Sequence, residues 1–306
     1  MMMRSLVAGM DYVDLNFLGQ PGIIATAVLQ GPSGVALLDP GPSSTLDTLT
    51  KSLASRGIRV ADVRHVLLTH IHLDHAGATG SLVRLNPSIE VMVHEKGAPH
   101  IIDPRRLIES ATRLYRGDME RLWGEFVPVP ADRVRSLAGG ETVTVAGREL
   151  RVAWTPGHAI HHVCYFDPSA RVAFVGDTGG IRLTGSDFVM PPTPPPDIDL
   201  EAWRDSADRI LGWDPDTLFL THFGPFHGAR VQIQQLFDRI AEWSRTVRRL
   251  LADAALDEAA RQQAFEEQGF AELRRVVGPQ AAEQYGYAGR LDYSWQGLSR
   301  YWKKQG

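Results

Sequence analysis

The chain reads as an α/β protein, a four-layer αββα sandwich that carries a C-terminal helical extension. Three observations lead there. Four short strand-like runs, Val66-Leu67-Leu68, Glu149–Ala153, Val172–Val175 and Leu218–Leu220, each lead within a few residues to a histidine or aspartate, and open α/β sheets present functional residues at the carboxyl ends of their strands. The strand-like runs fall into two batches, each followed by helical spacing, so two sheets with helices outside them are expected. From about residue 227 the pattern is helical to the end.

Taken in order, residues 11–41 alternate apolar stretches with the turns Gly19-Gln20-Pro21-Gly22 and Gly31-Pro32-Ser33-Gly34, as a β-meander does. Pro42-Ser43-Ser44 opens a helix with Leu46, Leu49 and Leu53 on one face. Ala76–Leu85 is expected to be helical and Ile89–Val93 a strand. Residues 103–123 read as one helix whose stripe of Leu107, Ile108, Ala111, Leu114 and Tyr115 faces core or pocket. Strands are expected again at 141–145, 149–154, 162–166 and 171–175. The proline density of 184–197 denies both helix and sheet while keeping the backbone stiff. Because this insertion begins just past Asp177, it should overhang the site, with Phe188 or Met190 on the substrate pocket. Val231–Leu251 carries Ile233, Leu236, Phe237, Ile240, Trp243 and Val247 at helical spacing, and Trp295, Tyr301 and Trp302 should either anchor the terminal helix or cover the pocket. Residues 1–230 are accordingly assigned to one domain and 231–306 to a helical extension packed on it.

The run Thr69-His70-Ile71-His72-Leu73-Asp74-His75 places three imidazoles and a carboxylate in six positions. Borderline divalent cations take neutral imidazole nitrogen and carboxylate oxygen, and ligands this close can converge only where the chain turns sharply. His70 and His72 share a face of an extended segment, whereas Asp74 and His75 aim at a second point, so one segment can serve two metals. His158 in Trp154-Thr155-Pro156-Gly157-His158, Asp177 after Val175-Gly176 and His222 after Thr221 are the strand-end candidates for the remaining ligands. A structural zinc site closes all four positions, usually with cysteine; this donor set leaves coordination open.

In order, His70, His72, Asp74, His75, His158, Asp177 and His222 resemble the ligand series of the metallo-β-lactamase-fold hydrolases, over roughly residues 11–230. Thr155-Pro156-Gly157-His158 followed by His162, with Val35–Leu38 running into Asp39-Pro40-Gly41, is most similar to the glyoxalase II and lactonase side of that superfamily. The resemblance implies the metallo-β-lactamase type of sandwich. It puts one metal on His70, His72 and His158 and a second on Asp74, His75 and His222, with Asp177 bridging them. It also makes Asp39 the aspartate that accepts the outer N–H of a ligand histidine. The implied reaction is hydrolysis of an ester, thioester, lactone or phosphotriester by a hydroxide between two divalent cations, with zinc expected first and iron or manganese after it. Asp74 and Asp177 would double as proton carriers. The alternatives are a mononuclear iron sulfur dioxygenase and a non-catalytic scaffold that holds metal and binds a partner through its C-terminal helices.

Composition narrows the partners. A chain of 306 residues, 43% hydrophobic, buries a substantial core. Its net charge of −4 offers no electrostatic footprint for nucleic acid. Cys164 is the only cysteine, so no intrachain disulfide forms. No run reaches the roughly 18 apolar residues of a membrane span, Met1–Met10 makes a poor secretory signal, and a cytoplasmic location is expected. Trp123, Phe126, Phe188, Met190, Phe223 and Phe226 suggest a small-molecule substrate with an apolar portion, with Phe223 and His227 reaching it. A homodimer is compatible with the helical extension. His65, His94, His100, His161 and His162 are read as surface or core residues rather than ligands.

Overall fold

Two sheets form the centre of the molecule, and the computed structural model describes residues 3–305. The first sheet has seven strands in sequence order: β1 (Arg4–Val7), β2 (Met10–Asp14), β3 (Ala25–Gly31), β4 (Gly34–Leu38), β5 (Val63–Leu67), β6 (Glu90–His94) and β7 (Val134–Leu137). The second has six: β8 (Thr142–Val145), β9 (Arg148–Trp154), β10 (Val163–Asp167), β11 (Val172–Phe174), β12 (Thr217–Leu220) and β13 (Gly224–His227). β1 to β4 are antiparallel and β4 to β7 parallel, while in the second sheet only β11 and β12 run parallel. The parallel strand β4, the end of β5 at Val66-Leu67 and the centre of β6 at Val91-Met92-Val93 are apolar and buried, as strands covered on both faces are.

The sheets are stitched together where their strands end. Val163 N–H donates to the Thr69 carbonyl at 2.8 Å and Ala25 N–H to the Thr221 carbonyl at 2.8 Å. The Tyr165 hydroxyl reaches across to the Leu68 carbonyl at 2.9 Å, and the rings of Tyr12 and Phe219 meet edge to face. These contacts lie in one continuous apolar core shared by both sheets.

The helices are α1 (Leu46–Ala54), α2 (Leu73–Ala76), α3 (Thr79–Leu85), α4 (Ala98–Ile102), α5 (Arg105–Tyr115), α6 (Met119–Trp123), α7 (Leu200–Gly212), α8 (Ala229–Ala252), α9 (Glu258–Val277), α10 (Pro279–Ala288) and α11 (Leu291–Gln305). The single helix expected over 103–123 is two, because Arg116 takes a positive φ of 48° and Gly117 follows it. β1, β7, β13, α4 and α7 escape the sequence reading, β7 and α7 for reasons the structure shows. The strand β7 is short and half polar, pairing on one side only with β6, so it shows little apolar alternation. Helix α7 buries only Trp203, Ser206, Ala207 and Ile210, a thin stripe; its start was nonetheless encoded in Asp199, whose side chain caps Ala202 N–H at 3.0 Å. None of the described helices is long and apolar enough to cross a membrane.

The C-terminal helices close on one another and on the body. The terminal helix α11 packs on α8 and α9, with Trp295 buried beside Phe265 and its indole N–H donating to Glu258. It also sits directly on the proline-rich segment: a methyl group placed on Gly297 would lie 2.0 Å from the Thr193 carbonyl oxygen. Overpacking of this kind costs about 1–3 kcal/mol. Gly297→Ala should therefore lose that much stability in denaturant unfolding, and an unchanged midpoint would show that α11 does not bear on the segment.

Candidate metal centre

Each candidate ligand stands where a strand stops. β5 ends at Leu67, and the chain leaves it through Thr69 and His70 before turning into α2, which starts at Leu73 and carries Asp74 and His75. His158 follows β9, Asp177 sits in the turn Gly176–Gly179 after β11, and His222 follows β12. The turn at Gly176 needs glycine. Its φ is +44°, and an added methyl would strike the Thr69 hydroxyl at 2.6 Å and His162 Nε2 at 2.7 Å.

The seven side chains fall into two sets. His70, His72, His158 and Asp177 present ligand atoms within 4.8 Å of one another, as do Asp74, His75 and His222. In the first set, His72 Nδ1 lies 2.9 Å from His70 Nε2 and 3.0 Å from His158 Nε2. In the second, Asp74 Oδ2 lies 3.3 Å from His222 Nε2 and 3.7 Å from His75 Nε2. Asp177 faces both: its Oδ2 is 3.4 Å from His158 Nε2, and its Oδ1 is 3.3 Å from His75 Nε2 and 3.6 Å from His222 Nε2.

The outer nitrogens explain why the inner ones converge. His75 Nδ1 donates to Asp39 Oδ2 at 2.8 Å, His158 Nδ1 to the Pro192 carbonyl at 2.8 Å, and His222 Nδ1 to the Ile23 carbonyl at 2.8 Å. The Thr69 hydroxyl donates to Asp39 at 2.7 Å and accepts from His70 Nδ1 at 3.1 Å. With its outer N–H committed, each of these imidazoles turns a lone pair inward, the arrangement a ligand histidine needs.

Burial and charge then make the centre a cation site. His75 Nε2, His222 Nε2 and Asp177 Oδ1 are buried with no hydrogen-bond partner, a costly state unless a cation sits among them. Burial, then the neighbouring imidazoles, keeps His70 well below its usual pKa, and burial with His158 pushes His72 down to about 3; both are neutral donors at working pH. Burial also favours a neutral His75, but the carboxylates of Asp177, Asp74 and Asp39 outweigh it and hold that imidazole well above its usual value. Burial would raise Asp74, yet His75 and His222 bring it down to about 2. The carboxylates thus attract either protons or metal, and the residues present fit a pair of divalent cations.

A cavity of about 740 Å³ opens on this centre. His72, Asp74, His158, Asp177 and His222 form its floor, while Leu107, Ala111, Leu114 and Tyr115 of α5 and Trp123 of α6 form an apolar wall. Pro192 to Pro196 overhang it, as expected of the insertion. Phe188 and Met190 do not reach it. The Tyr285 hydroxyl ties Ser186 and Phe188 down, Phe188 packs on the Tyr285 ring beneath the Arg239 guanidinium, and Met190 is buried against Gly289. Phe223 packs edge to face on Tyr12, and His227 ends β13 at the surface, bonded to the Thr217 hydroxyl at 3.0 Å. None of these four residues touches the cavity, nor do Phe126 and Phe226; of the expected aromatic mouth, only Trp123 does.

Other residues replace them. His100 and His161, read from the sequence as surface or core, both line the cavity, and Gln262 and Phe270 of α9 with residues 286–294 of α10 and α11 roof it. The stripe on α5 was a readable signal for its wall; nothing in the local pattern of the last helices marked their part. His162 works from behind, its Nδ1 within 2.9 Å of the Thr155 hydroxyl and 3.2 Å of the Thr178 hydroxyl, so it braces the turn that carries Asp177.

Two expectations follow. Asp39→Ala removes the acceptor that orients His75 and should weaken metal affinity about 10- to 100-fold in a chelator competition; unchanged affinity would detach Asp39 from the centre. Because a proton competes with metal for His75, retention should fall as pH is lowered. Dialysis against chelator at pH 5.5 should strip the protein faster than at pH 7.5, and equal rates would contradict the charge balance described.

Comparison with known proteins agrees with this geometry. The family model described as Metallo-beta-lactamase superfamily matches residues 19–222. A metallo-beta-lactamase fold-containing protein of Sulfurisphaera tokodaii is 26% identical over 208 residues, covering 67% of this chain and 74% of its own length. A thioesterase of Emericella nidulans is 28% identical over 177 residues, covering 55% of this chain and 41% of its own length. Among solved structures, a metallo-beta-lactamase family protein of Thermus thermophilus superposes with a TM-score of 0.71 at 23% identity, covering 99% of this chain and 95% of that one.

Proposed function

The chain belongs to the metallo-beta-lactamase superfamily, and from that premise we propose that it is a hydrolase of ester-like bonds that works with two divalent cations, zinc foremost. The observation that carries this reading is the pairing of two ligand sets through Asp177 on the floor of a cavity with an apolar wall. Two cations held there supply Lewis acidity and lower the pKa of water from about 15.7 toward about 7.

The residues of the chain do the rest. Asp177 faces both sets, so its two oxygens keep anionic charge between sites that would otherwise repel. Asp74 stands on the cavity floor and, with Asp177, can carry the proton that water sheds. The wall of Leu107, Ala111, Leu114 and Trp123 takes the apolar part of a small-molecule substrate and excludes water from it. The outer N–H groups of His70, His75, His158 and His222 are all engaged, so these imidazoles hold cations rather than shuttle protons. Retention of both ligand sets favours this reading over a one-iron oxygenase. A thioesterase among the relatives, together with the Thr155-Pro156-Gly157-His158 turn and His162, supports a thioester or lactone as the ester-like bond.

The test is a panel of thioesters, lactones, aryl esters and phosphotriesters run on protein of measured metal content. Turnover of at least one class is expected, and His72→Ala and Asp177→Asn should each reduce it to background while unfolding stays cooperative. Full activity in a metal-verified Asp177→Asn protein would remove Asp177 from the reaction. Inactivity of the loaded wild type across the panel would overturn the hydrolase reading.

A further inference from the structure

The reading just given leaves the departing group unassisted. The ligand imidazoles with an engaged outer N–H have no proton to offer, and Asp74 and Asp177 act first as acceptors of the proton that water sheds, so neither is a donor already in place at the leaving oxygen. Where the broken bond is an oxygen ester, the leaving oxygen gains negative charge as it departs, and a fixed hydrogen-bond donor there lowers the barrier. A rigidly held phenol on the cavity wall can supply such a donor.

Tyr115 is the last residue of α5 and lines the cavity together with Asp74. Its ring is clamped from two sides. Trp123 meets it edge to face with centroids 4.9 Å apart, and Tyr293 of α11 does the same at 5.4 Å. Both clamps are themselves held. Trp123 stacks on Phe17 at 5.6 Å, and the Tyr293 hydroxyl donates to the Leu114 carbonyl at 2.9 Å, one residue before Tyr115. Three distant stretches of chain, around Phe17, Trp123 and Tyr293, thus fix one phenol.

The hydroxyl itself is spare. Of the other tyrosines on the cavity, Tyr293 spends its hydroxyl on the protein and Tyr287 is 45% exposed, whereas Tyr115 is rigidly clamped, has no hydrogen-bond partner among the described residues and is not among the side chains sealed away from solvent without one. Its ring lines the cavity, and its hydroxyl is neither bonded nor sealed from solvent there. Burial, reinforced by the nearby Asp74 carboxylate, raises its pKa, so the phenol keeps its proton wherever the enzyme works. The rival donors are placed less well: Lys96 and Arg106 stand exposed on the rim, Lys96 over the Trp154 ring, and no hydrogen bond fixes a tautomer of His161.

We propose that the Tyr115 hydroxyl is the hydrogen-bond donor to the leaving oxygen, which extends the substrates of this site from thioesters to oxygen esters with poor leaving groups. The assignment rests on the hydrolase reading above. In the step it assists, the acyl carbon gains a bond to the oxygen of water, its bond to the leaving oxygen breaks with the electron pair, and the proton shed by water ends on the departing alcohol. Tyr115 donates a hydrogen bond throughout and keeps its own proton.

The experiment compares metal-loaded wild type with Tyr115→Phe on butyrate esters of graded leaving group, from 4-nitrophenyl through phenyl to butyl. Removal of the hydroxyl should leave 4-nitrophenyl butyrate within about 3-fold and lower kcat on the phenyl and butyl esters by about 10- to 100-fold, with KM little changed. A merely structural role would depress all three alike. Should Tyr115→Phe lose metal or unfold early, 3-fluorotyrosine placed at position 115 keeps the ring and strengthens the donor; it should raise kcat on the butyl ester selectively. A wild type that hydrolyses the series while Tyr115→Phe matches it, or falls equally, at every leaving group overturns this assignment alone. A wild type that hydrolyses none of the series overturns both this assignment and the ester-hydrolase reading it rests on.

Discussion

A buried carboxylate at the end of β4 gathers the ends of three strands. Asp39 accepts from the Thr69 amide at 2.8 Å and from its hydroxyl at 2.7 Å, just past β5, from the Thr221 hydroxyl at 2.9 Å, just past β12 in the other sheet, and from His75 Nδ1 at 2.8 Å. It does so from a positive φ of 47°, a conformation that a non-glycine residue adopts only when its surroundings dictate it. Thr69 precedes His70 and Thr221 precedes His222, so the same four hydrogen bonds that satisfy one carboxylate also set the places of three ligand histidines. Without that hub the two sheets could still pack through their apolar faces. The ligands would then hang from unrelated loop ends.

From that fixed frame the electrostatics follow. Imidazoles whose outer nitrogens are committed turn inward on two carboxylates, and the assembly has buried polar atoms that nothing in the protein satisfies. Divalent cations held by His70, His72, His158, Asp74, His75, Asp177 and His222 would neutralise Asp74 and Asp177 and satisfy the inward nitrogens. The cavity completes the design from farther away. Its floor is the candidate ligand set, one wall is α5 and α6, α9 to α11 roof it, and the proline-rich segment pressed under α11 overhangs it. The C-terminal helices are therefore part of the cavity, and they hold Tyr115 through Tyr293.

That the seven candidate ligands converge was legible in the sequence because the information is local. Strand ends, the close spacing of His70 to His75 and the glycine before Asp177 are all written in runs of a few residues, and the fold class follows from the same runs. Asp39 was legible for the same reason, as the residue that stops an apolar strand. The pocket was not. Phe188 and Met190 follow the turn that carries Asp177, which suggested a place on the cavity, but Tyr285, nearly a hundred residues on, pins that stretch into the core and leaves Pro192 to Pro196 on the cavity instead. His100 and His161 carry no ligand spacing, and only the tertiary packing of α4 and β9–β10 brings them to the wall. Helix α7 went unread because a wide sheet needs only a thin apolar stripe to seat a helix.

The account depends on a pair of cations sharing Asp177, and anomalous diffraction from crystals of the metal-loaded protein tests this most directly. Two anomalous peaks about 3.5–4 Å apart are expected, one among His70, His72 and His158 and one among Asp74, His75 and His222, with Asp177 between them. A single peak, or peaks that leave either set of side chains without a metal at full loading, would contradict it.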